Sequence, residues 1–169
     1  MKSKFLLSFL IILFLSIWNS ANATHYVLGY SSVDDWEIRW WGSTKYSTEW
    51  SNSISMWNNY WNINIAPDTT FTYEDVTVSD VYLSSASRSW MHSYYLFGTD
   101  TIKLNKYYLD WDSVSWDFSS SEKQHTIGHE LWHALWLDHH NLYWNVLRSW
   151  KWTYTILWSQ DKYDYDYLW

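Results

Sequence analysis

The sequence predicts an α+β domain, and three observations carry that expectation. Several short stretches between residues 26 and 109 are strand-like, two of them alternating apolar and polar residues with a period of two. Three other stretches repeat apolar residues at helical spacing or open on helix-start signals. The length beyond an N-terminal leader, 146 residues, suffices for one domain with a real core.

The leader is read from Met1-Lys2-Ser3-Lys4, an apolar run from Phe5 to Ile17, and Ala21-Asn22-Ala23. A basic start, a short apolar run and a small-residue cleavage site describe a secretory signal peptide, here residues 1–23. Residues 24–169 form the expected single domain, secreted to the extracellular space. The alternative is an uncleaved anchor. No later run is long enough to span a membrane. Loss of Lys2 and Lys4 leaves nine basic against eighteen acidic side chains, a net charge of −9. An acidic surface argues against nucleic acid or an anionic membrane as partner. Without cysteine, a secreted domain rests on its core and on any bound metal. Strand-like sequence begins directly after the leader, leaving no room for a sizeable propeptide. No linker, repeat or second domain is legible, and a monomer is expected.

In chain order, Tyr26 to Tyr30 and Glu37 to Trp41 read as strand pieces. Trp50, Ile54, Trp57 and Trp61 recur at helical spacing, which predicts an amphipathic helix over Thr48 to Tyr60, capped by Ser47. The aromatic stripe suits a core better than a ligand platform. Asn62 to Ala66 alternates as a strand broken by Pro67-Asp68. Thr70 to Leu83 alternates again through Phe71, Tyr73, Val76, Val78 and Val81. A polar loop over Ser84 to Ser89 precedes a strand region at Tyr94 to Phe97 and Thr101 to Leu109. Ser119 to Ser121 with Glu122 opens a helix running to Leu135. Leu157 to Trp169 closes the chain as a helix capped by Ser159, with Asp161 favourable in its first turn.

The penultimate helix carries the chemistry. Within HTIGHELWHALWLDHH, His129 and His133 lie four residues apart and share one helical face. Two imidazoles so placed can bind one metal ion. Glu130 sits beside the first, where it can take a proton from an attacking water. If the helix stops near Trp136 and the chain turns back, His139 becomes a third ligand, leaving an open fourth position. The alternative is a surface helix with unliganded histidines.

HELWHALWLDH resembles the metzincin zinc signature H-E-x-x-H-x-x-G-x-x-H, with Trp136 in place of its glycine. The resemblance implies a twisted mixed sheet with an earlier helix, a zinc-binding active-site helix and a C-terminal helix. It implies Zn2+ held by His129, His133 and His139, Glu130 as general base, and hydrolysis of internal peptide bonds in a protein or peptide substrate. Leu147 falls where the family has a methionine beneath the metal; Leu is close to it in volume. His140 and Ser149 differ from the astacin pattern, and His139 from the snapalysin pattern, so a matrixin is the nearest subfamily. The family's substrate edge maps to the region His92 to Phe97. His92 itself reads as a second metal ligand or as ordinary surface, with surface favoured. Asp110, Asp112 and Asp117 are compatible with Ca2+, although a solvated acidic loop is the preferred reading. The rival function is a catalytically impaired, Trp-rich secreted binding protein derived from a metzincin.

The chain has 17 Trp and 4 Gly, whereas glycine is ordinarily about 7% of residues. Several Trp sit where turn chemistry asks for glycine: Asp35-Trp36, Tyr60-Trp61-Asn62, Asp110-Trp111-Asp112 and Ser115-Trp116-Asp117. Trp132 and Trp136 fall where metzincins commonly carry glycine. The pattern suggests Trp standing in for Gly, as a one-base change in an altered gene would produce. The alternative is a genuinely Trp-rich protein that binds sugars or aromatic ligands.

Overall fold

The computed structural model describes residues 25–60, 62–85, 90–95, 98–110, 118–139 and 153–169. The expected leader and the residues Trp61, Leu96, Phe97, Trp111, Asp112, Trp116, Asp117, His140, Leu147 and Ser149 lie outside them. Among the described residues the domain is α+β, with one five-stranded mixed sheet and four helices. In chain order these are β1 (Glu37–Gly42), α1 (Ser47–Asn58), β2 (Asn64–Pro67), β3 (Val76–Val81), β4 (Trp90–Ser93), β5 (Asp100–Asn105), α2 (Lys106–Leu109), α3 (Ser120–Ala134) and α4 (Ser159–Leu168).

The strand order is β2-β1-β3-β5-β4. The first four are mutually parallel, and β4 closes the edge antiparallel to β5, with His92 opposite Ile102. Parallel β1 and β2 need a crossover, and α1 supplies it. Strand alternation sends Ile38, Val76, Val78, Ile102 and Leu104 into one core, where they meet Trp50 and Trp57 of α1, Ile127 and Leu131 of α3, and Tyr165 of α4. Gly42 ends β1 at φ +119°, where any Cβ would strike the carbonyl of Val78 on the paired strand. Helices α1 and α3 are pinned side by side by polar contacts as well as packing. The Trp57 indole N–H donates to the Gly128 carbonyl at 3.1 Å, and the Ser53 hydroxyl donates to that of Gln124 at 2.9 Å.

Several expectations need correction. Phe71 and Tyr73 alternate but lie in an exposed loop, 96% and 91% accessible, so β3 begins only at Val76. The outer strand is Trp90–Ser93 rather than a segment beginning at Tyr94. Residues Lys106–Leu109 turn into a short helix because the Asn105 side chain accepts the Tyr107 N–H at its start. Ser47 and Ser159 are first residues of their helices rather than caps; Asp161 accepts the Trp158 N–H in α4. Tyr26 to Tyr30 joins no sheet and makes a single bridge, Val27 to Leu137.

Candidate metal centre

The site is built on α3, whose start follows the sequence closely. Ser119 accepts the Glu122 N–H and the Glu122 carboxylate accepts the Ser119 N–H, a reciprocal capping box. The helix is buried from His125 to Ala134. His129 is 1% exposed, Glu130 2% and His133 8%, so this is not a surface helix.

The helix stops after Ala134. The Trp136 N–H donates to the His133 carbonyl at 3.1 Å, and the Leu137 N–H to the Trp132 carbonyl at 3.3 Å. These are the two bonds of a Schellman stop, with Trp136 in the left-handed position at φ +77°. The N-terminal segment then clamps the turn. Leu28 N–H donates to the Trp136 carbonyl, Ser32 N–H to that of Ala134, and Asp138 N–H to that of Tyr26, each at 2.8 to 2.9 Å. This clamp is a site element that sequence reading missed. It is made of backbone groups, and backbone groups leave no residue-type signal.

The turn brings His139 back over the helix. His129 Nε2 lies 3.0 Å from His139 Nε2 and 3.2 Å from His133 Nε2. One candidate ligand atom from each histidine falls within a 4.8 Å group. A tetrahedral ion with nitrogens at about 2.0–2.1 Å sets neighbouring nitrogens roughly 3.3 Å apart, so the spacing fits a metal. The tautomer also fits. His133 Nδ1 sits 2.9 Å from the Leu137 carbonyl, which can only accept, so Nδ1 carries the proton and Nε2 presents its lone pair to the centre. Burial pushes the His133 pKa down to about 4, which keeps the ring neutral and able to ligate. A single N–H on His129 could serve only one of its two neighbouring nitrogens, whereas one cation satisfies all three. Three neutral imidazoles suit several transition metals.

His92 departs from expectation. Its side chain is 6% exposed, so it is not surface. It stands outside the three-nitrogen group, with its ring stacked against His133 at 6.4 Å between centroids. Its Nε2 lies 4.0 Å from an Asp100 oxygen. Burial lowers its pKa to about 4. Asp100 is in turn fixed by the Ser32 hydroxyl and the Tyr95 N–H. Alternation within β4 turns His92 inward and leaves its neighbour Met91 exposed; the sequence reading, which began the strand at Tyr94, missed it. Asp110, the described member of the acidic trio, is engaged by Lys45 at 2.5 Å and Lys123 at 3.7 Å. Despite partial burial, those cations and the Tyr46 hydroxyl hold its carboxyl below the usual range.

No protein-family model and no curated protein sequence matches the chain. A solved structure described as the GM1 bound form of the ECX AB5 holotoxin is similar to it, with a TM-score of 0.48 and 15% identity. That match covers 72% of this chain and 64% of the other, so this chain spans less than two thirds of the other's length.

Proposed function

We propose that this chain is a secreted zinc-dependent metalloendopeptidase of metzincin type, nearest to the matrixins. The observation that supports it best is the convergence of His129, His133 and His139 at 3.0 and 3.2 Å beside buried Glu130. The three imidazoles would hold the ion. When bound there, zinc supplies a Lewis acid for the scissile carbonyl and lowers the pKa of an attacking water.

The chain's own groups do the rest. Glu130 accepts the proton of the attacking water and passes it to the leaving amine. Leu137, through its carbonyl, holds His133 in the ligating tautomer. The edge strand β4 runs past α3 and offers its outer backbone to an extended peptide, which would add as a further strand. The reading places the substrate against Trp90–Ser93, two residues earlier than the stretch read from the sequence.

Cleavage of a quenched peptide library, abolished by a chelator and restored by zinc, tests the activity. Glu130→Gln should retain the metal and lose nearly all turnover, about 100-fold or more, because an amide cannot accept the proton. Wild-type rates in that variant would remove Glu130 from the mechanism. The rival reading, an impaired Trp-rich binder, draws on the left-handed Trp136 beside the metal turn. Stoichiometric metal with no cleavage of any peptide would favour it.

A further inference from the structure

Two tryptophans hold backbone conformations that belong to glycine. At the first, Asp34 and Glu37 exchange both backbone hydrogen bonds, at 3.0 and 2.8 Å, around Asp35 and Trp36. The two central residues have φ +44° and +65°. A two-residue reversal with both φ values positive is a type I′ turn, and its usual sequences are Asn-Gly and Asp-Gly. The second position here is Trp. The other site is Trp136, at the left-handed position of the Schellman stop, where glycine is again the usual residue. The remaining positive-φ positions among the described residues are Asp35, Asn62, Gly42 and Gly98, all types that tolerate it.

Side-chain packing does not explain the choice. Trp36 is 60% exposed, and its ring meets that of Trp169 edge-on at 6.1 Å between centroids. Trp136 is half-buried, its ring lies 6.3 Å from that of Trp169, and its indole nitrogen has no acceptor among the described residues. Trp57 is of another kind. It is 1% exposed, gives its N–H to the Gly128 carbonyl, and packs on Tyr165. A buried Trp ordinarily finds such a partner.

We propose that the gene carries, at positions 36 and 136, a codon that its own host decodes as glycine, and that a tryptophan reading of that codon produces the chain described here. UGA is the codon whose meaning varies in the required way, being tryptophan in some bacterial codes and glycine in others. Trp57 is then a true tryptophan encoded by UGG. The inference stands on backbone geometry and does not depend on the hydrolase reading, although glycine at 136 completes the zinc signature.

Two measurements test it. Peptide mass spectrometry of the protein purified from the organism that carries the gene should find glycine at 36 and 136 and tryptophan at 57, with UGA codons at the first two. Tryptophan in the native peptides at 36 and 136, or UGG at both, overturns the proposal. Independently, in the recombinant chain, Trp36→Gly and Trp136→Gly should each raise the melting midpoint by roughly 3 °C, and Trp57→Gly should lower it. A lower midpoint in both of the first two variants also overturns it, because the backbone would then not call for glycine there.

Discussion

His129 and His133 reach the metal centre in one way, and His139 in another. The helical pair is buried, four residues apart on a capped helix packed against α1, and its spacing follows from helix geometry alone. His139 is half exposed on a turn and is placed by the left-handed stop at Trp136 and by the backbone clamp of residues 26–32. The Asp138 carboxylate accepts the His139 N–H at 2.7 Å and steadies the last step. A helix therefore preorganises two ligands, while the third depends on contacts between segments about a hundred residues apart in sequence.

That contrast can be broken at its strongest point first. His129→Ala and His133→Ala should each abolish stoichiometric metal binding, a loss of affinity beyond about 100-fold. His139→Ala should lose less, because the preorganised pair survives. Isothermal titration with zinc on the three apo variants checks the order. Equal losses would mean the loop ligand is as firmly held as the helical two.

The second prediction concerns pH and the metal-free protein. His92 and His133 are both held neutral by burial, with pKa values near 4 against an ordinary 6.5. Between these limits the unfolded chain binds protons that the folded chain refuses. Stability is therefore full above about pH 6.5 and falls as the pH drops toward 4, by on the order of 3 kcal/mol per group at most. Chelator-treated protein should melt progressively earlier over that range. His92→Phe should flatten the slope; an unchanged slope would clear His92 of any part in it.

The smallest effect is expected farthest from the turn. Ser119→Ala removes one half of the capping box and should cost about 1 kcal/mol of stability. Metal affinity should hold, because the cap lies roughly 15 Å along the helix from His129. Chemical denaturation and zinc titration of this variant separate the two quantities, and weakened zinc binding would show that the helix transmits disorder to its ligands.

The sequence by itself determined what depends on near neighbours. Ser119 and Glu122 announced the start of α3 because a capping box is a local exchange of hydrogen bonds. His129, Glu130 and His133 could be placed together because helical periodicity is local, and the stripe of Trp50 and Trp57 could be assigned to the core on the same ground. Asp35-Trp36 and Trp136 stood out because turns demand particular φ values. Only the tertiary structure decided the rest. Phe71 and Tyr73 share the alternation of β3 yet stay in solvent, because a period of two does not say whether a partner strand is there. His92 is buried behind His133 because β4 lies beside α3, a neighbour far off in sequence. His139 closes the triad because backbone amides of the N-terminal segment hold its turn, and backbone amides are the same in every residue but proline.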